Sequence, residues 1–193
     1  MFIMATIGEA LKYPFANFKR VFNYWWLLVP IWGWFVVPGY FIRVINELVK
    51  GNTKELPAIR PFAGLFRTGF FVMVTGLIIG IVAWLFMLIP LVGWIAYAYL
   101  VLIAPLMIFQ FAEQGKIRDG LNVVRASKTV FASFGRYLVA YVKTIVVGII
   151  FLVASILIIT LIVTLPAMNF SQYYFFAEYY KQYGKKATVS KKK

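Results

Sequence analysis

The chain contains no cysteine and no histidine. Without cysteine there is no disulfide, no thiolate metal site and no sulfur nucleophile. Without histidine, the commonest proton shuttle and transition-metal ligand is missing. Carboxylates are scarce as well: Glu9, Glu47, Glu55, Glu113, Asp119 and Glu178 stand against 20 Lys plus Arg. No phosphate loop, nucleophile elbow or Ser/His/Asp set is present. These shortages point away from an enzyme, and no cofactor or metal is expected. Charge itself is absent from three long runs, 21–42, 68–112 and 144–177.

What fills those runs is apolar. The chain is 63% hydrophobic and 19% aromatic, with a mean hydropathy of +0.84. A soluble domain lacks the interior to hide that much apolar surface. One helix crossing the bilayer core takes about 20 apolar residues, and the middle run is long enough for two. The runs are continuous rather than alternating, which disfavours a β-barrel. The expected class is an all-α integral membrane protein. The opening MFIMATIGEALKYPF has no basic leader or cleavage site, so insertion is expected to use the internal segments.

The net charge of +14 would suggest nucleic acid in a soluble protein. Beside membrane spans it reads instead as basic loops gathered on the cytoplasmic side. No nucleic-acid partner is expected. The partners implied are membrane lipids with anionic headgroups, and a second copy of the chain or a larger membrane complex.

A repeated phrase organises the topology. LVPIWGW at 28–34 recurs as LIPLVGW at 88–94. Proline and glycine without nearby charge make a tight turn between helices. Pro90 and Gly93 therefore mark the tip of a helical hairpin over about 67–114, and Pro30 and Gly33 the tip of another over about 15–49. A third tip is expected at Pro166 to Asn169, within a hairpin over about 138–184. Three hairpins place both termini and every basic cluster on one face, as the orientation rule asks. Residues 1–184 then form a single membrane domain, and 185–193 a basic, disordered tail. The first run leaves only about 11 residues per arm, roughly 16 Å of helix, so that hairpin is expected to be re-entrant. A single crossing at 23–42, bent at Pro30 and Pro38, is the competing reading.

Outside the spans, Leu11, Phe15, Phe18 and Phe22 share one face of an N-terminal interfacial helix that Pro14 interrupts. Residues 116–137 form a second amphipathic piece, with Val123, Val124, Ser127, Val130, Phe131 and Phe134 on one face. Lys12, Lys19, Arg20, Arg125 and Lys128 are the candidate headgroup ligands. Gly76 and Gly80 sit four apart and suit close helix packing inside the monomer.

The stretches IGEALKYPF (7–15), PGYFIRVINELVKG (38–51), ELP (55–57) and LFRTGF (65–70) resemble a mostly archaeal family of multi-pass membrane proteins, domain of unknown function 4013. The resemblance implies a membrane location and carries no activity with it. Where that family places an acidic residue and Trp after the ELP, this chain has Ile59, Arg60 and Phe62.

The candidate pathway residues within or beside the apolar runs are Arg43, Glu47, Asn23, Tyr40, Gln110 and Glu178. Arg43 and Glu47 are four apart and can pair on a helix. Glu178 lies among Tyr173, Tyr174, Tyr179 and Tyr180, where an aromatic belt at the headgroups is the ordinary explanation. A pathway through the membrane would need groups of this kind. They are few, so the leading expectation is a non-catalytic structural or accessory membrane component. A small-solute or ion channel or transporter is the alternative, and a lipid-binding protein using its basic face is a third.

Overall fold

A computed structural model describes residues 6–155 and 161–189, and among these all regular structure is helical. α1 (Ile7–Lys12) passes through a 3₁₀ turn (Tyr13–Asn17) into α2 (Phe18–Val21) and a second 3₁₀ segment (Phe22–Leu28). There follow α3 (Trp32–Lys50), α4 (Phe62–Met87), α5 (Val92–Gln114), α6 (Ile117–Gly120), α7 (Val123–Ala132), α8 (Phe134–Ala154) and α9 (Leu161–Val189).

α4, α5 and α8 are long and apolar enough to cross a membrane. The chain is a membrane protein on that ground. α4 packs on α3 and α5 through one face that includes Leu65, Gly69 and Thr75, but only 6% of its apolar window is fully buried, so its other faces are turned outward. α3 is the opposite case. Val36, Tyr40, Val44, Ile45 and Leu48 are all sealed in the core, where α3 packs on α4, α5 and α9.

The two repeated phrases adopt the same turn. Ile31 and Leu91 both have positive φ, 62° and 63°. Trp32 N–H donates to the Pro30 carbonyl at 2.6 Å and Val92 N–H to that of Pro90 at 2.7 Å. These are γ-turns, a strained geometry. Gly33 and Gly93 follow, and a Cβ on either would overlap the carbonyl oxygen of Trp26 or Phe86. The chain reverses within van der Waals contact of itself, which only glycine permits.

Around these turns the arms differ. The first hairpin has a seven-residue 3₁₀ arm and a 19-residue α-helix, not two equal arms of about 11. The reversal at Pro30 and Ile31 also rules out one crossing helix over 23–42. α3 absorbs the charged residues Arg43 and Glu47 because its buried face continues to Leu48.

Pro166 and Asn169 do not form a tip: both lie inside α9. Proline has no N–H for the carbonyl four residues earlier, here Ile162. The indole N–H of Trp25 takes that carbonyl instead, at 2.7 Å. Asn169 turns its amide back to the Leu165 carbonyl at 3.0 Å. α8 and α9 pack antiparallel, with Tyr137 against Tyr179 at one end and Ser155 bonded to Thr164 at the other. The link between them falls at 156–160, outside the described residues. The basic tail expected as disorder from 185 begins as backbone of α9, which continues to Val189; residues 190–193 lie outside the described set.

α3 and α4 touch at glycine. A Cβ on Gly39 would overlap the Leu65 carbonyl, and one on Gly69 the Phe35 carbonyl. Two helices can meet backbone to backbone only where both lack side chains. Gly76 and Gly80, expected to fill that role, have nothing within 4 Å of an added Cβ. Both glycines are exposed, and Gly76 also borders an apolar cavity of about 200 Å³ with Ile42, Met107 and Phe111.

Candidate functional site

Polar side chains gather at two places. The first is the elbow between α3 and α4, residues 51–61. Four side chains fasten it. Arg20 of α2 donates to the Leu56 carbonyl and forms an ion pair with Glu55 at 3.1 Å. The Asn17 amide donates to the same carboxylate at 3.1 Å. Tyr40 of α3 donates to the Pro57 carbonyl at 2.9 Å, and Asn23 donates to the Tyr40 hydroxyl at 3.3 Å. Arg43 donates to the Arg60 carbonyl. An irregular loop carries unpaired main-chain carbonyls, and these are satisfied from the helices around it. The Asn17 amide, and after it the Arg20 guanidinium, hold the Glu55 carboxyl below its ordinary range.

The expected Arg43–Glu47 pair does not form as a hydrogen-bonded contact. Glu47 accepts from Lys50 at 3.1 Å and Asn52 at 3.3 Å. Sequence spacing permits i, i+4 and i, i+3 partners equally; Arg43 is drawn off by the elbow.

The second place joins α5, α7 and α9. Glu113 and Arg125 form an ion pair at 2.7 Å, with side chains 22% and 10% exposed. The Tyr180 hydroxyl donates to the same carboxylate oxygen at 2.7 Å. Beside it Gln110 is fully buried. The surroundings orient its amide: the nitrogen donates to the Asp119 and Asn122 carbonyls at 3.1 and 3.2 Å, and the oxygen accepts from Ala126 N–H at 2.8 Å. It closes the turn between α6 and α7. Tyr179 donates to the carbonyls of Thr129 and Val130 at 2.8 and 3.2 Å.

Of the polar residues singled out from sequence, Asn23, Tyr40 and Arg43 therefore converge on the elbow, and Glu47 lies one turn further along α3. Gln110 belongs to the other cluster. Glu178 is half-buried on α9, but Tyr179 and Tyr180 beside it are buried and lock α7 and α5. They do not form an exposed belt. Glu113 was missed from the sequence; its signal was a carboxylate ending an apolar run 12 residues before Arg125.

Both the elbow and the first repeated turn fall within a recognisable stretch of sequence. Residues 22–96 match a family described as Protein of unknown function (DUF4013). The DUF4013 stretch takes in both γ-turns, the Gly39–Gly69 contact and the whole elbow. The N-terminal motif at 7–15 and the aromatic stretch of α9 lie outside it. No curated protein and no solved structure matches the chain.

Among the headgroup candidates, Arg20 and Arg125 are paired with the protein's own carboxylates, Glu55 at the half-exposed elbow and Glu113 in the more enclosed cluster. Lys12, Lys19 and Lys128 are exposed. Near them lie exposed aromatics: Phe15, Phe18 and Phe22 form a continuous strip with ring centroids 6.4 and 5.3 Å apart. On α7 the buried face is Ala126, Thr129 and Val130, while Val124 and Phe131 are 62% and 60% exposed. The apolar face drawn from the sequence is thus divided. Val130 turns inward, Ser127 is held by Tyr99, and Val124 and Phe131 turn outward.

Proposed function

We propose that this protein is a non-catalytic, multi-pass membrane scaffold that assembles with copies of itself or with a larger membrane complex. Its termini and basic loops lie on the cytoplasmic side. One observation carries the reading: the polar side chains a solute path would need are spent on fastening the fold. Asn23, Tyr40 and Arg43 are tied into the elbow, and Gln110 into the α6–α7 turn. Pathway residues in transport folds face a cavity and stay free to exchange partners.

The outward apolar surface of α4 supports assembly. A helix with 6% of its window buried and an open Gly76–Gly80 face suits packing against another helix in the bilayer. The exposed Lys12, Lys19 and Lys128, beside exposed aromatics, suit a cytoplasmic interface.

Two measurements test this. Light scattering in mild detergent should give a defined multiple of the monomer mass, or a complex with other subunits. Liposomes holding the full chain should show no solute flux above protein-free vesicles, and none should depend on Glu47 or Glu178. Flux that disappears on Glu47→Gln or Glu178→Gln would overturn the proposal in favour of a transporter.

A further inference from the structure

α4 and α5 touch beside their turn, where a Cβ on Gly93 would overlap the Phe86 carbonyl. Further from the turn they part. Positions 72, 75, 76 and 79 of α4 and 104, 107, 108 and 111 of α5 face each other there across a cavity of about 200 Å³. Each set has the i, i+3, i+4, i+7 spacing of one helix face. The gap is open because its middle positions are small. Gly76 and Ala104 stand at equal sequence distance on either side of Pro90, so an antiparallel pair brings them level. A Cβ on Gly76 meets nothing within 4 Å. Gly76 and Ile108 are exposed and form the rim, while Ile42 of α3 and Gly120 of α6 complete the wall.

Every lining side chain is hydrocarbon except one, and its polar atom is already engaged. The Thr75 hydroxyl donates to the Phe71 carbonyl at 2.8 Å, and its methyl carbon lies against Gly120. A buried water takes two to four polar partners, whereas an apolar cavity of about 150 Å³ stays dry and admits a molecule the size of benzene. An ion or polar solute finds no partner in such a site either. The medium around a membrane-crossing pair is acyl chain, and the rim opens onto the same outward surface of α4 that lies against it. A neighbouring helix packs on small residues backbone to backbone and does not reach into a recess behind them. A thin, flexible chain does.

We propose that this cavity is a site for one phospholipid acyl chain, which enters past Gly76 and Ile108 and lies against Met107. The headgroup takes no part in recognition, because the cavity offers it no free polar group. The inference rests on α4 and α5 crossing the bilayer, and not on the scaffold reading.

The full chain in lipid nanodiscs carries the test. The probe is a phosphatidylcholine with a diazirine midway along one acyl chain; after illumination, the labelled residues are read by peptide mass spectrometry. Met107 is 3% exposed, out of reach of a chain that only lies on the protein's surface. Ile81 is 51% exposed and reports any surrounding lipid. Met107 should be labelled, and equally by a phosphatidylglycerol carrying the same chain. Gly76→Leu places a side chain in the cavity. It should cut Met107 labelling about tenfold, the value of excluding roughly two methylenes from an apolar site. Ile81 labelling should stay unchanged and the unfolding temperature should not fall. Ala104→Leu fills the same space from the other wall and should act alike, so a folding defect in one variant leaves the other to decide. Absence of label at Met107 in the unaltered chain, or label that persists in both variants, would overturn the proposal. Labelling by a free fatty acid with the same diazirine, but by neither phospholipid, would overturn the phospholipid assignment. If Met107 stays unlabelled and both variants dissociate an oligomer, the occupant is a side chain of a second copy and the lipid site falls. Absence of label at Ile81 as well would refute the crossing of α4 itself.

Discussion

The indole nitrogen of Trp25 donates to the carbonyl of Ile162 at 2.7 Å. That carbonyl is the one Pro166 leaves without its helical partner. A residue 137 positions away thus lets α9 run through a proline. Trp25→Phe keeps an aromatic ring and removes the donor. It should cost about 1–3 kcal/mol, the penalty of a stranded carbonyl. Pro166→Ala restores the N–H, so the double variant should lose far less than Trp25→Phe alone. Thermal unfolding of the four proteins in detergent gives the coupling. Additive losses would show that the bond does not substitute for the missing helical one.

Glu113 and Arg125 share the hydroxyl of Tyr180, which binds α5, α7 and α9 through one oxygen. Either charge left without the other is partly buried and loses its ion-pair partner. Glu113→Gln or Arg125→Met should each lower stability by about 2–4 kcal/mol, short of a fully buried pair because both side chains keep some solvent contact. Replacing both should cost less than the sum of the single losses. Urea unfolding in micelles measures this.

Glycine matters on one face of α4 and not on the other. Gly39→Ala or Gly69→Ala forces a methyl group into a facing backbone, and should destabilise by about 1–3 kcal/mol. Gly76→Ala and Gly80→Ala meet open space and should leave the monomer's unfolding temperature unchanged or slightly raised. A change in oligomeric mass with these two would place the outward face in the assembly.

The elbow should loosen in acid. The Glu55 carboxyl sits below its ordinary value near 4.5, first through Asn17 and then through Arg20. A carboxyl with a depressed folded value stabilises above its unfolded value. That contribution fades as pH falls through the folded value. Between pH 6 and pH 3, the drop in unfolding temperature should therefore be smaller for Glu55→Gln than for the unaltered chain. Identical pH profiles would show that this pair contributes nothing.

The middle hairpin was legible because its signals are local: two uncharged stretches and a Pro–Gly tip. The γ-turn at Pro30 was legible for the same reason, through its likeness to Pro90. The tip assigned to Pro166 failed because a proline is a breaker only when its freed carbonyl lacks another donor, and Trp25 lies far off in sequence. Glycine packing failed similarly. Spacing marks Gly76 and Gly80 as a pair, whereas the close contact is made by Gly39 and Gly69 from different helices. Arg20, Arg43, Arg125 and the tyrosines of α9 read as surface or membrane-facing groups because their partners are main-chain carbonyls and a single carboxylate, which no residue pattern announces.

The central claim is that α4 and α5 cross the bilayer as a hairpin, with the basic loops on one side of it. The absence of native cysteine allows single cysteines at Asn52, Leu91 and Lys116 to be labelled in intact cells with a membrane-impermeant maleimide. The account predicts no labelling at positions 52 and 116 until the cells are opened, and labelling at position 91 from outside. Labelling of 52 and 116 from opposite sides would contradict it.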